Sequence, residues 1–492
     1  MTENDDADRR GRDRVEELEA AKAAQRDESR PEMVARVHAG GRLTARERVA
    51  ALLDPGSEVE YGSIAAIGAA GEWVAEAGGV DFVGTVGGRT IITSSTDFTD
   101  RGGGYGAARL ERLFALAHEH RWPVVFFVDG GGSRARHPRV GRGDLELNAP
   151  FGRFQLFDGM AELSGLVPTI AIVSGPSFAG HASLAGFSDI VIATGGSSIG
   201  MGGPPMVEAA LGLSLSANEL AGVEMHELTG GIDLLVADET EAIAAAKRYL
   251  SFYGDEAEGP APATAGDLAS LVPDDGPYDM VPVIEAIVDA GGIAPLRPNF
   301  ARSVITGFGR IEGRSIGVIA SQPIVDDGAI DENAATKAGR MVELCDAYEL
   351  PILALIDTPG TIVTRSAGSS PIADPADRTG STQPGVNRWH TRAVMTHHHR
   401  TVPMFAVQVR RGGGLGPAVL GGLSSGRAVP VLWLAWPTTV LGRPDGFAAV
   451  RHQDGFDDVV DPAETRVRIG RLLAGIDRRL DRPAKKHPID TW

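Results

Sequence analysis

The sequence predicts an α/β protein in which two related domains follow each other along the chain. Three observations predict this fold class. Segments with the same strand-and-turn pattern occur twice in the same order, the strand-like runs are short and rich in β-branched residues, and the 64 glycines concentrate where those runs end. Short apolar runs of this kind are typical of strands that helices cover on both faces. Glycines at strand ends allow tight turns and the close approach of a backbone to a ligand.

The repeat consists of three pairs of segments, and each segment joins an apolar run to a glycine-containing turn. The pairs are Gly84–Ile91 with Gly309–Ile316, Pro123–Gly132 with Pro351–Gly360, and Ile170–Gly180 with Phe405–Gly416. Three matched units in one order indicate an internal duplication. Two related domains that face each other are expected to form an active site between them.

Composition divides the chain into four parts. Residues 1–30 are densely charged and form an N-terminal arm, residues 31–253 form the first domain, residues 254–277 are a proline-rich linker, and residues 278–492 form the second domain.

Helices are expected at Arg30–Leu53, Gly106–Trp122, Tyr278–Ala290, Ala334–Leu350 and Arg466–Leu480. Strands of the first domain are expected at Val80–Val86, Thr90–Ser94, Val124–Val128, Thr169–Val173 and Ile190–Ala193.

Charge and cysteine content restrict the classes of partner. A formal net charge of −18 argues against nucleic acid or an anionic membrane as the main partner. The single cysteine, Cys345, has no second thiol for an internal disulfide, which suits the reducing cytoplasm. No run of 18 apolar residues and no signal-peptide core is evident. We therefore expect a cytoplasmic protein.

Two glycine turns at matched positions, Gly175–Gly180 and Gly412–Gly416, are the first candidates for a functional site. Each follows an apolar strand and precedes a helix of small residues. This arrangement directs free main-chain N–H groups and a helix N-terminus toward one point, where they stabilise negative charge. The alternative is that the glycines only allow close packing of helix and sheet. The occurrence of two such turns favours the functional interpretation.

The remaining candidates are weaker on sequence grounds. The loop that contains Gly102, Gly103 and Gly104 has no phosphate-binding signature, and a simple turn is the plainer interpretation. Asp129 and Asp357 are interpreted as turn-forming residues and not as catalytic carboxylates. His181 lies inside the first turn, where a structural role is the alternative to a functional one.

Histidine clustering and nucleophile motifs give no further site. The three consecutive histidines His397–His399 point in different directions, so they are expected on the surface and no metal site is predicted. No nucleophile elbow and no cysteine–histidine pairing occurs. The best candidate sites therefore contain no obvious side-chain nucleophile.

Further motifs lie at Gly40–Ser57, at Gly202–Gly212 with Glu219–His226, at Asn333–Tyr348 with Asp357–Gly360, and at Ala435–Thr438. They resemble motifs of the carboxyltransferase (beta) subunits of biotin-dependent acyl-CoA carboxylases of the propionyl-CoA, methylcrotonyl-CoA and acetyl-CoA type. The resemblance covers about residues 30 to 480, and its first motif is highly specific.

The resemblance implies two tandem crotonase-like domains, each a ββα spiral, with each active site at a dimer interface. The implied reaction moves CO₂ from carboxybiotin to the α-carbon of an acyl-CoA, with two oxyanions stabilised by main-chain N–H groups. By motif position, Ala179 and Gly180 would serve biotin, whereas Leu415 and Gly416 would serve the acyl-CoA. Gly131 and Gly132 match glycines beside the thioester.

The implied partners are a biotin carboxylase and a biotin carboxyl carrier on other polypeptides, together with further copies of this chain in a dimer or hexamer. Biotin and coenzyme A thioesters are the implied cofactor and substrate, and Gly102–Gly104 and His181 are expected near them. Three alternatives remain at this point. The chain could run the same chemistry in reverse in a decarboxylase, it could be a catalytically silent paralogue, or, with less support, it could be a crotonase-type hydratase.

Overall fold

Two compact units are present, and each is built on its own mixed β-sheet. The computed structural model describes residues 3–67, 73–75, 78–99, 103, 107–130, 150–254, 268–361, 383–422, 429–440, 455–476 and 487–490. Unit 1 consists of Met1–His226 and Leu235–Leu250, and unit 2 consists of Glu227–Leu234 and Ser251–Trp492.

The strands lie close to where β-branched apolar runs predict them. In chain order up to residue 236 they are β1 Val59–Tyr61, β2 Ile64–Ile67, β3 Trp73–Ala75, β4 Gly79–Val86, β5 Arg89–Thr96, β6 Val124–Phe127, β7 Thr169–Val173, β8 Pro176–Phe178, β9 Ile190–Thr194, β10 Ser198–Gly200 and β11 Leu234–Val236. The later strands are β12 Ala294–Leu296, β13 Val304–Ile311, β14 Arg314–Ser321, β15 Ile352–Thr358, β16 Met404–Gly412, β17 Leu432–Ala435 and β18 Asp458–Val459.

The helices alternate with the parallel strands. They are α1 Glu3–Ala23, α2 Pro31–Ala39, α3 Ala45–Leu52, α4 Ala107–His120, α5 Pro150–Leu163, α6 Gly180–Phe187, α7 Pro204–Leu211, α8 Ala217–Ala221, α9 Val223–Thr229, α10 Glu239–Phe252, α11 Val281–Ile287, α12 Glu332–Ala347, α13 Gln383–His399, α14 Gly416–Gly421 and α15 Thr465–Leu473. Short 3₁₀ turns occupy Asp27–Ser29, Leu268–Leu271, Asp326–Gly328 and Pro462–Glu464.

The two large sheets share one topology, as an internal duplication requires. Within the described residues each has seven strands, in the orders β1-β4-β5-β6-β7-β9-β11 and β12-β13-β14-β15-β16-β17-β18. Each begins with two antiparallel pairings, and parallel strands follow. Because the carboxyl ends of parallel strands meet at one edge of a sheet, the loops that follow them collect there.

Packing on both faces of the sheet explains the continuous apolar runs. Every residue of β6 and β7 in unit 1 and of β15 in unit 2 is buried. In unit 2, a single core cluster joins side chains of α11, the central strands and α15, with Trp436 among its largest members. The indole N–H of Trp436 donates to the hydroxyl of Thr465 at 2.9 Å, so this buried donor is satisfied.

The predicted helix over Arg30–Leu53 is wrong in one respect, because the chain forms two helices there. Gly41 adopts a left-handed φ of +70°, and Thr44 then caps the second helix. The Thr44 hydroxyl accepts from the Glu47 N–H at 3.1 Å, and the Glu47 carboxylate accepts from the Thr44 N–H at 2.8 Å. This reciprocal capping box is readable in the sequence as Thr-x-x-Glu, and it overrides the apparent continuity of the helix.

The expectation that His397–His399 lie on the surface holds for the last two residues and is wrong for His397. His398 and His399 are exposed, whereas His397 is fully buried at the end of α13 and pairs its Nε2 with the Val419 carbonyl at 2.9 Å. Packing of this helix against α14 places one of three neighbouring histidines in the interior, as helical geometry requires.

Among the described residues, no helix is long and apolar enough to cross a membrane.

The buried His397 predicts a component of acid sensitivity. Burial, reinforced by the nearby Arg400 charge, lowers the pKa of His397 to about 4. The unfolded chain protonates this ring near pH 6.5, so the stability that the neutral ring contributes is complete above that pH and is lost as the pH falls toward 4. His397→Gln retains a donor for Val419 but does not titrate. We expect this variant to lose about 2 kcal/mol less stability between pH 7 and pH 5 than the unmodified protein.

The measurement is the midpoint of thermal unfolding as a function of pH. The matched control is His398→Gln, because His398 is an exposed neighbour on the same helix. Equal pH dependence in the unmodified protein and in both variants would show that His397 does not contribute.

Candidate active site: two main-chain donor turns

The first predicted turn joins the end of β7 to the start of α6. Its middle forms the short strand β8, which pairs in parallel with β10. Ala179 then adopts φ +54° and ψ −119°, a conformation that favours glycine. Its N–H donates to the Gly200 carbonyl at 3.0 Å, which anchors the turn to β10.

Gly180, the first residue of α6, provides an unpaired donor at the end of this turn. Its N–H has no acceptor among the described residues, because the first helical bond runs from the Ser183 N–H to the Ala179 carbonyl. Gly180 is half-buried, and a Cβ added to it would meet nothing within 4 Å. A half-buried, unpaired N–H at a helix start, with open space beside it, favours an incoming negative charge.

The second predicted turn, Gly412–Gly416, has the same design. The Gly413 N–H donates to the Thr358 carbonyl, and the Gly416 N–H donates to the Gly413 carbonyl, both at 3.0 Å. In contrast, the N–H groups of Gly414 and Leu415 have no acceptor in the described part of the chain. Gly414 has a left-handed φ of +50° with open space around it, and the Leu415 side chain is 58% exposed.

The structure revises two of the four residues for which the sequence predicts a donor role. The N–H groups of Ala179 and Gly416 already have main-chain acceptors, so they are not free donors. Within the described ranges, the N–H groups of Gly180 and Leu415 have no acceptor, and neither has that of Gly414, which sequence reasoning missed. The sequence does not show which of the three consecutive glycines at 412–414 becomes left-handed, because contacts with the end of β15 decide it. A Cβ on Gly413 would lie 2.0 Å from the Pro359 carbonyl oxygen.

His181 packs beside the first turn. The side chain is buried, and a Cβ added to Gly130 would lie 2.2 Å from its ring. Burial lowers the pKa of His181, and the neighbouring Asp129 charge and a bond to the Phe178 carbonyl only partly oppose this effect. The imidazole therefore fills the space over Gly130 as a neutral group near pH 7.

Of the other predicted glycines, Gly103 is described and the rest are not. Gly103 has φ +78°, and a Cβ there would lie 2.5 Å from the Asp129 carbonyl oxygen, so only glycine fits against this strand end. Gly102, Gly104, Gly131 and Gly132 lie outside the described residues.

The carboxylates of Asp129 and Asp357 at the strand ends have a structural role, as expected. They fulfil it through contacts with arginine side chains and not as turn-forming residues. Both are fully buried, and each accepts hydrogen bonds from arginine side chains. Neither is a free base.

A family model described as "Carboxyl transferase domain" matches residues 36–374, which is more than half of the chain. The chain belongs to the carboxyl transferase domain family. This membership confirms the resemblance inferred from the motifs.

Three curated relatives of this carboxyl transferase are similar along most of their length. The methylmalonyl-CoA carboxyltransferase 12S subunit of Propionibacterium freudenreichii subsp. shermanii is 29% identical over 92% of this chain and 92% of its own. The propionyl-CoA carboxylase beta chain of Saccharopolyspora erythraea is 31% identical over 92% and 91%, respectively. The methylmalonyl-CoA decarboxylase subunit alpha of Veillonella parvula is 29% identical over 92% and 94%.

Solved structures confirm the predicted fold class of two tandem crotonase-like domains. The transcarboxylase 12S crystal structure, described as a hexamer with methylmalonyl-CoA bound, has a TM-score of 0.78 at 28% identity and covers 99% of both chains. A single-chain, multi-domain long-chain acyl-CoA carboxylase has a TM-score of 0.79 at 33% identity over 93% of this chain. The present chain spans half the length of that multi-domain protein.

The left-handed Ala179 predicts a stabilising substitution. A non-glycine residue in this region carries strain, so Ala179→Gly is expected to raise the free energy of unfolding by about 1 kcal/mol after the added entropy of the unfolded chain is subtracted. The matched control is Ala209→Gly on the exposed α7, where loss of helix propensity should cost about 1 kcal/mol. Denaturant unfolding measures both changes. Destabilisation by Ala179→Gly as large as in the control would contradict the strained geometry.

Proposed function

We propose that this chain is the carboxyltransferase component of an acyl-CoA carboxylase and moves CO₂ from carboxybiotin to the α-carbon of an acyl-CoA. In the matched turn of each unit, a main-chain N–H group has no acceptor among the residues that the structure describes, and this observation carries the proposal. The groups are that of Gly180 in the first turn and those of Gly414 and Leu415 in the second. Membership in the carboxyl transferase family supports the reaction class. The relatives that act on propionyl-CoA and methylmalonyl-CoA, according to their names, support an acyl-CoA substrate.

The chemistry requires two donor sites. Bound carboxybiotin would supply the CO₂ and take up the α-proton of the acyl-CoA in exchange, and negative charge would develop on its ureido oxygen and on the thioester oxygen. Fixed N–H donors stabilise both charges without a change in protonation. We assign the first turn, with Gly180, to biotin and the second turn, with Gly414 and Leu415, to the acyl carbonyl.

Residues around the two turns complete the proposed substrate site. Gly131 and Gly132 are assigned to the side of the thioester, Gly102–Gly104 to coenzyme A, and His181 to the wall beside the first turn. The buried ring of His181 over Gly130 supports a shaping role and not proton transfer.

The proposed partners are a biotin carboxylase, a biotin carboxyl carrier and further copies of this chain. The hexamer described for transcarboxylase 12S supports a hexamer of the same kind, in which the first domain of one copy works with the second domain of another.

The proposed domain boundaries are those predicted from composition, residues 31–253 and 278–492 after a charged arm. A cytoplasmic location is proposed because Cys345 is a free, buried thiol.

Decarboxylation supplies a direct test of the function. The purified full-length protein should release CO₂ from methylmalonyl-CoA or malonyl-CoA only when free biotin is present, because biotin must accept the carboxyl group. The rate of CO₂ release is measured with and without biotin across short, branched and long acyl chains. Absence of biotin-dependent turnover with every acyl chain would overturn the proposal.

A second candidate is the same subunit in an acyl-CoA decarboxylase. It is favoured by the similarity to the alpha subunit of methylmalonyl-CoA decarboxylase, which is as extensive as that to the transcarboxylase. The two functions use the same site in opposite directions. Co-purification followed by a streptavidin blot distinguishes them, because a carboxylase should co-purify with a biotin carboxylase as well as a biotinylated carrier.

A further inference from the structure

Each donor turn lies next to a cluster of two arginines and two carboxylates. In unit 1 the cluster consists of Arg42, Arg48, Asp129 and Glu239, and we call it the first quartet. In unit 2 it consists of Arg410, Arg411, Asp327 and Asp357, and we call it the second quartet. The formal charges balance within each quartet.

The first quartet is centred on Arg48, a buried residue of α3. Its guanidinium donates to the Asp129 carboxylate at 2.5 Å, to the Glu239 carboxylate at 2.7 Å and to the Ser174 hydroxyl at 2.9 Å. Burial by itself lowers the pKa of Arg48, but the two carboxylates raise it by more, so the group stays charged. Arg42, whose side chain is 27% exposed, lies 3.6 Å from the Asp129 carboxylate.

The second quartet is centred on Asp357 in β15. One carboxylate oxygen accepts from Arg410 Nε at 2.9 Å, and the other accepts from Arg411 Nε at 2.8 Å. Arg411 continues to Asp327, where it donates to the carboxylate at 2.6 Å and to the main-chain carbonyl at 2.9 Å. These two hydrogen bonds hold a turn in which three residues have left-handed φ angles: Asp326 (47°), Asp327 (59°) and Gly328 (76°).

In both quartets the aspartate joins the ends of neighbouring parallel strands through the same pattern of hydrogen bonds. In unit 1 the Asp129 N–H donates to the Thr96 hydroxyl at 2.8 Å, and the Asp129 carboxylate accepts from the Ser174 N–H at 3.2 Å. The corresponding bonds of Asp357 in unit 2 join Ser321 at 3.0 Å and the Arg411 N–H at 3.1 Å. One aspartate therefore links the ends of three adjacent strands in each unit.

The anchored strand end is where each donor turn begins. Ser174 directly precedes the first turn, Gly175–Gly180, and Arg411 directly precedes the second, Gly412–Gly416. A shift of either strand end would move the free N–H groups that follow. Buried ion pairs contribute little net stability compared with apolar packing, so their presence at both turns favours a role in placing the turns.

We propose that the two quartets are positioning devices, each of which sets the N–H donors of its own turn. Arg48 and Arg42 position the turn for biotin, and Arg411 with Asp327 positions the turn for the acyl carbonyl. This inference rests on the proposed function. It also gives a structural role to the opening motif of the family resemblance, Gly40–Ser57, because that segment supplies both arginines of the first quartet.

The test compares conservative variants of the full-length protein in biotin-dependent decarboxylation of methylmalonyl-CoA. Arg411→Lys keeps the charge but loses the bidentate contact with Asp327, and Asp327→Asn weakens the same contact from the other side. Both variants should lower kcat/KM for methylmalonyl-CoA by about tenfold or more and leave the KM for free biotin within about twofold. Arg48→Lys should instead raise the KM for free biotin and leave the KM for methylmalonyl-CoA largely unchanged.

Two features separate positioning from general stability. Loss of folded protein lowers kcat and leaves the KM of both substrates unchanged, whereas a displaced turn also raises the KM of the substrate that it contacts. Thermal unfolding midpoints are recorded for every variant. Arg468→Lys is the matched control, because this exposed arginine also contacts two carboxylates, those of Asp458 and Glu464. If Arg48→Lys fails to fold, the half-exposed Arg42→Lys replaces it.

The possible outcomes are distinct. Substrate-selective effects, opposite for the two quartets, support the proposal. If the unmodified protein is active, the proposal is overturned by equal effects on the KM of both substrates, or by effects no larger than those of the Arg468→Lys control. Absence of turnover in the unmodified protein overturns the proposed function itself, and the positioning role with it.

Discussion

The proposed chemistry depends on main-chain N–H groups that have no acceptor in the described part of the folded chain. Folded proteins pair nearly all of their buried backbone donors, whereas Gly180 is half-buried and Gly414 and Leu415 are exposed, so an incoming group can reach their N–H groups. Around the two turns, the donors of Ala179, Gly413 and Gly416 are paired, whereas those of Gly180, Gly414 and Leu415 have no acceptor in the described structure. Donors fixed in this way stabilise charge with little reorganisation at the moment of reaction.

Holding these donors in place imposes constraints on the surrounding backbone. Ala179 occupies a conformation that favours glycine, and Gly413 is packed so tightly that a Cβ would lie 2.0 Å from the Pro359 carbonyl oxygen. Strained conformations persist when neighbouring contacts over-determine them. The buried carboxylates of Asp129 and Asp357, with their arginines, supply such contacts at the strand ends. The unusual backbone and the buried charges thus have one common explanation in the placement of the turns.

The sequence predicted the sheets better than the individual donors. Thr169–Val173 was located to the residue because a fully buried parallel strand leaves a continuous apolar run, here between Pro168 and Ser174. The duplicated Gly84 and Gly309 segments likewise predicted two sheets of one topology. In contrast, glycines 412 to 414 are indistinguishable in sequence, and long-range contacts with Thr358 and Pro359 decide which N–H stays free. The burial of His397 was missed for a similar reason, because helix packing selects one of three adjacent histidines.

Replacement of the single amide at Leu415 by an ester tests the central claim most directly. Incorporation of the α-hydroxy acid analogue of leucine at this position removes only the N–H donor and retains the side chain and the chain path. We expect kcat for biotin-dependent decarboxylation to fall by about 10²-fold or more, with an unchanged unfolding midpoint. Turnover equal to that of the unmodified protein would contradict the account, because the reaction would then not depend on this main-chain donor.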